Sequence, residues 1–285
     1  MKTDLHIHST ASDGTCTPAE ILRLAVEMGI GIMSITDHDT VAGAKEILRM
    51  GIPPSVRFIT GIEISAASPE EFPCAGSFHI LGYNIDVDNS VLNQALEILR
   101  EARRNRNPQI IGNLRNMGFD LSMEELIRHA GDCQIGRPHI AGLMLKKGFV
   151  QSIDEAFDKY IGNGKAAYAD KYRISCPEAI SMIRNAGGTA VLAHPGLLKP
   201  LITFSFEKML CHLRETGLGG IEVWYPEHSA EQTVYYAQMA DRYGLIKTGG
   251  TDFHGAVKPG LQMGIGRGDF CVPYSAGEQL ISGSV

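Results

Sequence analysis

Apolar residues along this chain of 285 fall into short runs that alternate with segments of helical period. The runs at 5–8 (LHIH), 30–36, 57–65, 77–85, 188–194, 219–225 and 244–250 are short and mostly rich in Val, Ile and Thr, as buried strands of a parallel sheet are. Between them, apolar side chains recur every three or four positions. TPAEILRLAVEMG carries its own punctuation: Thr17 as N-cap, Pro18 in the first turn, Glu20 to complete a capping box and Gly29 as a stop. TVAGAKEILRMG, PEAISMIRNAGG and EQTVYYAQMADRYG read similarly. This alternation predicts an α/β unit with a mainly parallel sheet, closed or nearly closed.

Residues 91–165 break the rhythm. They read as helices throughout, with capping boxes at Ser122/Glu125 and Ser152/Glu155 and no strand pattern. The expected organisation is one α/β unit formed by 1–90 and 166–285, with 91–165 as a helical insertion covering its mouth. The tail SAGEQLISGSV is expected to be a weakly ordered end. Apolar content of 44% and charged content of 20% are ordinary for a chain with a sizeable core. A net charge of −6 argues against a long nucleic-acid duplex as partner and leaves room for a small anion met through metal ions. With no charged-then-apolar leader and no apolar run near the roughly 20 residues that span a bilayer, the expectation is a cytoplasmic protein without a membrane partner. The six cysteines stand singly, without a CxxC pair, which suits reduced thiols. Oligomeric state is not legible.

The chemistry lies in where the histidines fall. His6 and His8 are two apart in a predicted strand and share a face. Alone, such a pair is as compatible with a structural role as with a ligand role. Six of the ten histidines, however, sit in or just after predicted strands, alongside Asp13, Glu63 and Asp252. Carboxyl ends of parallel strands converge on one rim. Nine residues (His6, His8, Asp13, His38, Glu63, His79, His194, Asp252, His254) exceed the roughly four to six ligands of a single ion and suit two or three ions with Glu63 bridging. The donors are all nitrogen and oxygen, which leaves manganese(II), zinc and iron(II) all open; manganese(II) is the first expectation. Asp4 is a candidate for orienting one histidine through its second nitrogen.

DLHIHSTASDGTCTPAEIL, SITDHDT, GIEIS, FHILGY, VLAHPG and GGTDFHG, in that order, resemble the successive motifs of the PHP (polymerase and histidinol phosphatase) family, from residue 4 to about 256. The resemblance implies a distorted (β/α)7 TIM-like barrel with a trinuclear metal centre. It assigns His6, His8, Glu63 and Asp252 to one ion, Glu63, His79 and His194 to a second, and Asp13, His38 and His254 to a third. GRPHIAGLML, EVWYPEHSAEQ and ADRYGLIKTGGTDFHG further resemble the TrpH-like branch. Members of that branch are nucleoside 3′,5′-bisphosphate phosphatases, one of them a 5′-to-3′ exoribonuclease on short RNAs.

The expected reaction is hydrolysis of a nucleotide phosphate ester by hydroxide generated between metal ions. The expected substrate is a small nucleotide or a short oligoribonucleotide. Glu63, Asp252, His254 and His38 are the expected catalytic residues, with a proton-donor role also weighed for His38 and His254. For substrate phosphate the leading candidates are Arg137 and His139, flanking Pro138 at a helix start, and His228. Their plain alternatives are a surface ion pair, a helix cap and a loop histidine. Arg103, Arg104 and Arg106 read first as a solvated helix face and second as a means of steering an anion. Lys171 and Arg173 are weaker candidates for substrate contact. Trp224 and Tyr225 are expected in the core or stacked on a base, Glu222 outside the ligand set, and His129 and His212 on the surface. A catalytically dead metal-stabilised binding module would show gaps in the ligand set; all nine positions hold competent residues.

Overall fold

The first strand begins earlier than its apolar pattern suggests. In the computed structural model, which describes residues 1–75, 78–131 and 134–282, β1 is Lys2–Asp4 and residues 5–8 lie just past it. It is followed by β2 (Ile30–Ile35), β3 (Arg57–Ala67), β4 (Cys74–Ala75), β5 (Phe78–Tyr83), β6 (Ile174–Ser175), β7 (Thr189–Leu192), β8 (Lys199–Pro200), β9 (Gly220–Trp224) and β10 (Ile246–Gly249). The main sheet runs β1-β2-β3-β5-β7-β9-β10, with β6 beside the end of β3, while β4 and β8 form a separate ribbon. The three two-residue strands carry no apolar period and were not expected.

Within the main sheet pairing is parallel except around β5, which runs antiparallel to both β3 and β7; the β4–β8 ribbon is antiparallel too. The connection 68–77 is shorter than the dozen or so residues a parallel crossover needs, so the chain doubles back. The fold is therefore mixed α/β with a mostly parallel sheet, and among the described residues its ladder does not close into a (β/α)7 barrel. β1 and β10 are not paired as strands. The chain beyond them runs side by side, with Leu5 N donating to Gly249 O (3.1 Å) and a lone parallel bridge between Ile7 and Phe253.

Alternate residues of the strands face two cores. Ile62, Ile64, Ile80, Leu192, Ile221 and Val223 pack under α7 (Cys176–Asn185), α8 (Phe206–Glu215) and α9 (Ala230–Tyr243). Ile59, Leu81, Tyr83 and Val191 share the opposite face with Leu280 of α10 (Tyr274–Ser282). α1 (Pro18–Glu27) and α2 (Ala42–Met50) cover the sheet at β2. The box predicted at Thr17 forms: Glu20 N donates to Thr17 Oγ1 and Thr17 N to Glu20 Oε2.

Between β5 and β6 the described residues form no strand. They build α3 (Ser90–Asn116), α4 (Met123–Ala130), α5 (Arg137–Lys146) and α6 (Ile153–Ala156), the last continuing into a π-helical turn at Phe157–Ile161. The Ser122/Glu125 box forms, whereas at Ser152 only half does: Glu155 Oε2 accepts from Gln151 N instead. α3 serves two cores. Leu92, Leu96 and Leu99 join the sheet's core, and Ile110, Ile111 and Leu114 join a helical core with Leu126, Ile140 and Met144. Five cysteines are free thiols, and Cys133 lies outside the described residues. No helix among the described residues is long and apolar enough to cross a membrane.

The tail corrects the sequence reading. Its residues up to Ser282 belong to α10, because Leu280 is an apolar anchor buried against Leu5, Ile32 and Leu81, and its carbonyl accepts from Asn84 Nδ2 at 2.7 Å; residues 283–285 lie outside the described residues. Replacing Leu280 with Ala should lower unfolding free energy by about 2–5 kcal/mol in urea titration. A change below about 0.5 kcal/mol would restore the picture of a loose end.

Candidate metal centre

The site forms where the inner rows of the strands rise above the apolar layer. Glu63 lies on the row of Ile59, and His79 on the row of Leu81 and Tyr83, with Ser65 opposite His79 in the ladder. Past β1, Leu5 and Ile7 turn into the core while His6 and His8 turn inward, all four fully buried. Two glycines allow the close packing. A Cβ on Gly14 would sit 2.3 Å from His8 O, and one on Gly250 would sit 2.3 Å from His6 N.

Five imidazoles converge on the Glu63 carboxylate. Oε2 lies 3.4 Å from His6 Nε2, 3.2 Å from His8 Nε2 and 2.9 Å from His38 Nδ1. Oε1 lies 2.7 Å from His79 Nδ1 and 3.0 Å from His194 Nε2. Asp252 Oδ1 adds contacts of 3.4 Å to His6, 3.1 Å to His8 and 3.4 Å to His254. Asp13 reaches His254 Nε2 at 3.4 Å and His38 Nε2 at 3.8 Å. All nine expected residues are thus brought together. Three sets have donor atoms within 4.8 Å of one another: His8, Asp13, His38 and His254; His6, His8, Glu63 and Asp252; His38, Glu63 and His79. These differ from the expected division in placing His8 in two sets and His38 beside His79; His194 is instead 3.2 Å from His79.

The groups that hold these side chains were the harder part to foresee. Glu222, on β9 between outward-facing Ile221 and Val223, accepts from His194 N at 2.6 Å and stands 2.9 Å from His6 Nδ1. A lone buried carboxylate in an apolar strand was the available signal. Asp4 does not do this job: its oxygens accept from Thr251 N, Thr251 Oγ1 and Gly264 N, stapling the sheet's two ends. Asp252 Oδ2 is taken by Tyr225 OH (2.9 Å) and Lys258 Nζ (2.6 Å), which leaves Oδ1 to face the histidines. Tyr225 is therefore a buried supporting group. Asp252 and His194 have φ of 53° and 25°, and Asp39, next to His38, 54°. Non-glycine residues adopt such conformations only where the surroundings enforce them.

Comparison with known proteins agrees with this geometry. The PHP domain profile matches residues 4–160. The chain belongs to the PHP family. It is 31% identical to a 3′,5′-nucleoside bisphosphate phosphatase of Chromobacterium violaceum, over 92% of this chain and 90% of that one. It is 32% identical to the 5′-3′ exoribonuclease Rnm of Escherichia coli, over 88% of this chain and 84% of that one. The crystal structure of a candidate metal-dependent phosphoesterase from Bifidobacterium adolescentis superposes with a TM-score of 0.86 at 27% identity, covering 99% and 96% of the two chains.

The PHP centre has the character of a site for divalent ions. His6 Nε2, His8 Nε2, Asp13 Oδ1, His38 Nδ1 and Glu63 Oε2 are buried without a hydrogen-bond partner, an arrangement costing about 1–3 kcal/mol per group unless a ligand satisfies them. Burial would raise the Glu63 carboxyl, yet His38, His79 and His6 hold it well below the usual carboxylate range. For Asp252, Lys258, His6 and His254 likewise outweigh burial. Burial pushes His79 down to about 4, favouring the neutral form that ligates.

Beside the PHP centre, a cleft floored by Asp13, His38 and His79 is lined by Arg103, Arg106, Arg137, Lys171 and Arg173. Arg103 and Arg106 are buried, so that part of the run is not a solvated face; Arg104 is exposed and pairs with Glu97. Asp39 Oδ2 accepts from Arg103 (2.7 Å) and Lys171 (3.1 Å), tying the cleft wall to the loop that carries His38. The Arg137 guanidinium lies over the Phe157 and Tyr168 rings at 5.6 and 5.5 Å and donates to Ile161 O. His139 Nδ1 accepts from Gly136 N, capping its own helix. Both His228 nitrogens meet backbone: Nδ1 donates to Val223 O and Nε2 accepts from Gly196 N.

Two predictions follow from these supports. Glu222→Gln should weaken divalent-metal binding by about 10–100-fold in titration calorimetry, and an unchanged affinity would remove its orienting role. Burial also lowers the His228 pKa from its usual 6.5, so the unfolded chain binds the proton first and stability falls as pH drops below about 6.5. His228→Gln should flatten that slope in denaturant titrations between pH 7 and 5; an unaltered slope would assign it elsewhere.

Proposed function

We propose that the chain removes the 3′-phosphate of a nucleoside 3′,5′-bisphosphate such as adenosine 3′,5′-bisphosphate. The chain is a metal-dependent phosphoric ester hydrolase of the PHP family, and the substrate is our reading. The observation that carries it is the junction of two unlike surfaces, the nitrogen and oxygen donors around Glu63 and the five-cation cleft that shares Asp13, His38 and His79 with them. A substrate with two phosphates uses both, one at the donors and one among the guanidiniums. The name of the Chromobacterium relative points the same way, and that of the Escherichia relative points to the second reading below.

We assign His6, His8, Glu63 and Asp252 to one ion, Glu63, His79 and His194 to a second, and Asp13, His38 and His254 to a third, with manganese(II) first and two or three ions per chain. Divalent ions held there lower the pKa of water and neutralise phosphoryl oxygens. The protein's own part is positional. Glu63 and Asp252 hold the imidazoles in register, Glu222 fixes His6 and His194, and Arg103, Arg137 and Lys171 bind the distal phosphate. His139 and His228 fix the helix start at Gly136 and the Gly196 and Val223 backbone through the bonds they make, rather than meeting the phosphate themselves. We read 91–165 as an insertion closing over a distorted, incompletely closed (β/α)7 barrel, a reading supported by the Arg103 and Lys171 links to Asp39. Trimming of short RNA from the 5′ end uses the same two surfaces and is the second reading.

With manganese(II) supplied, the chain should release inorganic phosphate from adenosine 3′,5′-bisphosphate, and a chelator should stop it. Glu63→Gln and Asp252→Asn should each lower kcat by about a thousandfold, several kcal/mol of transition-state stabilisation. Full activity in either variant, or no product from this substrate or from a 5′-phosphorylated oligoribonucleotide, would sink the reading.

A further inference from the structure

A second groove, of about 570 Å³, lies between α3 and α4 and has room for a small organic ligand. It is shut off from the metal centre. Arg103 donates to Asp39 Oδ2 (2.7 Å) and Gln134 Nε2 to His38 O (3.2 Å). A Cβ on Gly136 would lie 3.3 Å from the Arg103 guanidinium and 3.6 Å from Asp13 Oδ2, so no passage opens there. What the groove does touch is the far side of the loops that carry candidate ligands. Ala11, two residues before Asp13, and Thr40, two after His38, both line it. A molecule held in this space meets neither the donors around Glu63 nor the cationic cleft, so it is not the substrate.

We propose that this groove is an effector site for a small amphipathic anion, one that joins an N–H or O–H donor and an apolar body to a single negative group. Each feature answers a part of the wall. Arg100 and Arg104 share Glu97, which leaves one net positive charge. Two groove atoms are buried without a hydrogen-bond partner, the donor Arg100 Nε and the acceptor Gln134 Oε1. The first calls for the anion and the second for an N–H or O–H. Between them, half-buried Met123 and Ile127, which is 52% exposed, offer the apolar surface. Asn107 adds no further polar group, because Nδ2 donates to Ile135 O and Oδ1 accepts from Arg106. Gln134 is the link to the centre. A ligand donor on Oε1 polarises the amide and strengthens its Nε2 bond to His38 O, which steadies the loop that sets His38 Nδ1 beside Glu63. Ligand in the groove and ion at the centre therefore favour one another, by the same factor in both directions.

The probe is 8-anilinonaphthalene-1-sulfonate, which combines a secondary amine N–H, aromatic rings and one sulfonate, and whose binding needs no turnover. Titration calorimetry on the full chain should show one probe per chain. Arg100→Glu/Arg104→Glu and, separately, Ile127→Asp should each weaken it at least tenfold, with the fold retained by circular dichroism; both changes fall on partly exposed side chains. Affinity unchanged in either variant would overturn the groove. Saturating manganese(II) should tighten the probe at least threefold in the unaltered chain and leave it unchanged in Gln134→Leu. Equal affinity with and without metal in the unaltered chain, or a coupling that survives Gln134→Leu, would overturn the effector role. If the chain takes up no manganese(II), the metal centre fails by itself, and the two groove variants still decide the site.

Discussion

One buried carboxylate organises this molecule. Glu63 is 1% exposed, carries its charge in the centre of the sheet, and has imidazoles against both oxygens. A charge so placed is tolerable only where partners surround it. The strands bring those partners from distant parts of the sequence. His6 and His8 come from the first residues, His38 from the end of β2, His79 from β5 and His194 from the end of β7. The reversal at β5 has its use here, because it sets His79 and Glu63 side by side on neighbouring strands.

Around that centre the structure invests in orientation. Glu222 spans from the His194 backbone to the His6 ring, Tyr225 and Lys258 occupy one oxygen of Asp252, and Asp39 ties α3 and Lys171 to the loop that carries His38. Left-handed backbone at Asp39, His194 and Asp252 shows the surroundings overriding local preference. Such supports matter because ligand atoms misplaced by a fraction of an ångström lose affinity and rate.

The fold was largely legible because its apolar periods are clean. Six of the strands and the helices with Thr17 and Ser122 caps lie where period and punctuation put them, while the first strand ends at Asp4, before its apolar run starts. The two-residue strands have no period to detect, and the direction of β5 depends on the length of a connection rather than on the strand. The tail misled because Leu280 looks like one apolar residue in a polar end until its partners just past β1 and in β2 and β5 are known. In the centre, residues with metal chemistry announced themselves by type and by position after strands. Supporting residues did not. Glu222, Lys258 and Asp39 are common carboxylates and amines whose roles exist only in three dimensions. Arg103 and Arg106 sit in a helix that looks solvated when read alone, and they are buried where that helix lines the cleft beside the metal centre.

The central claim is that Glu63 is shared between metal positions. Metal content per chain, measured by plasma mass spectrometry after loading and dialysis, tests it directly on wild-type protein and on Glu63→Gln. The account predicts two or three ions in the wild type and at most one in the variant, with the fold retained by circular dichroism. Equal metal content in the two proteins, or none in the wild type, would contradict it.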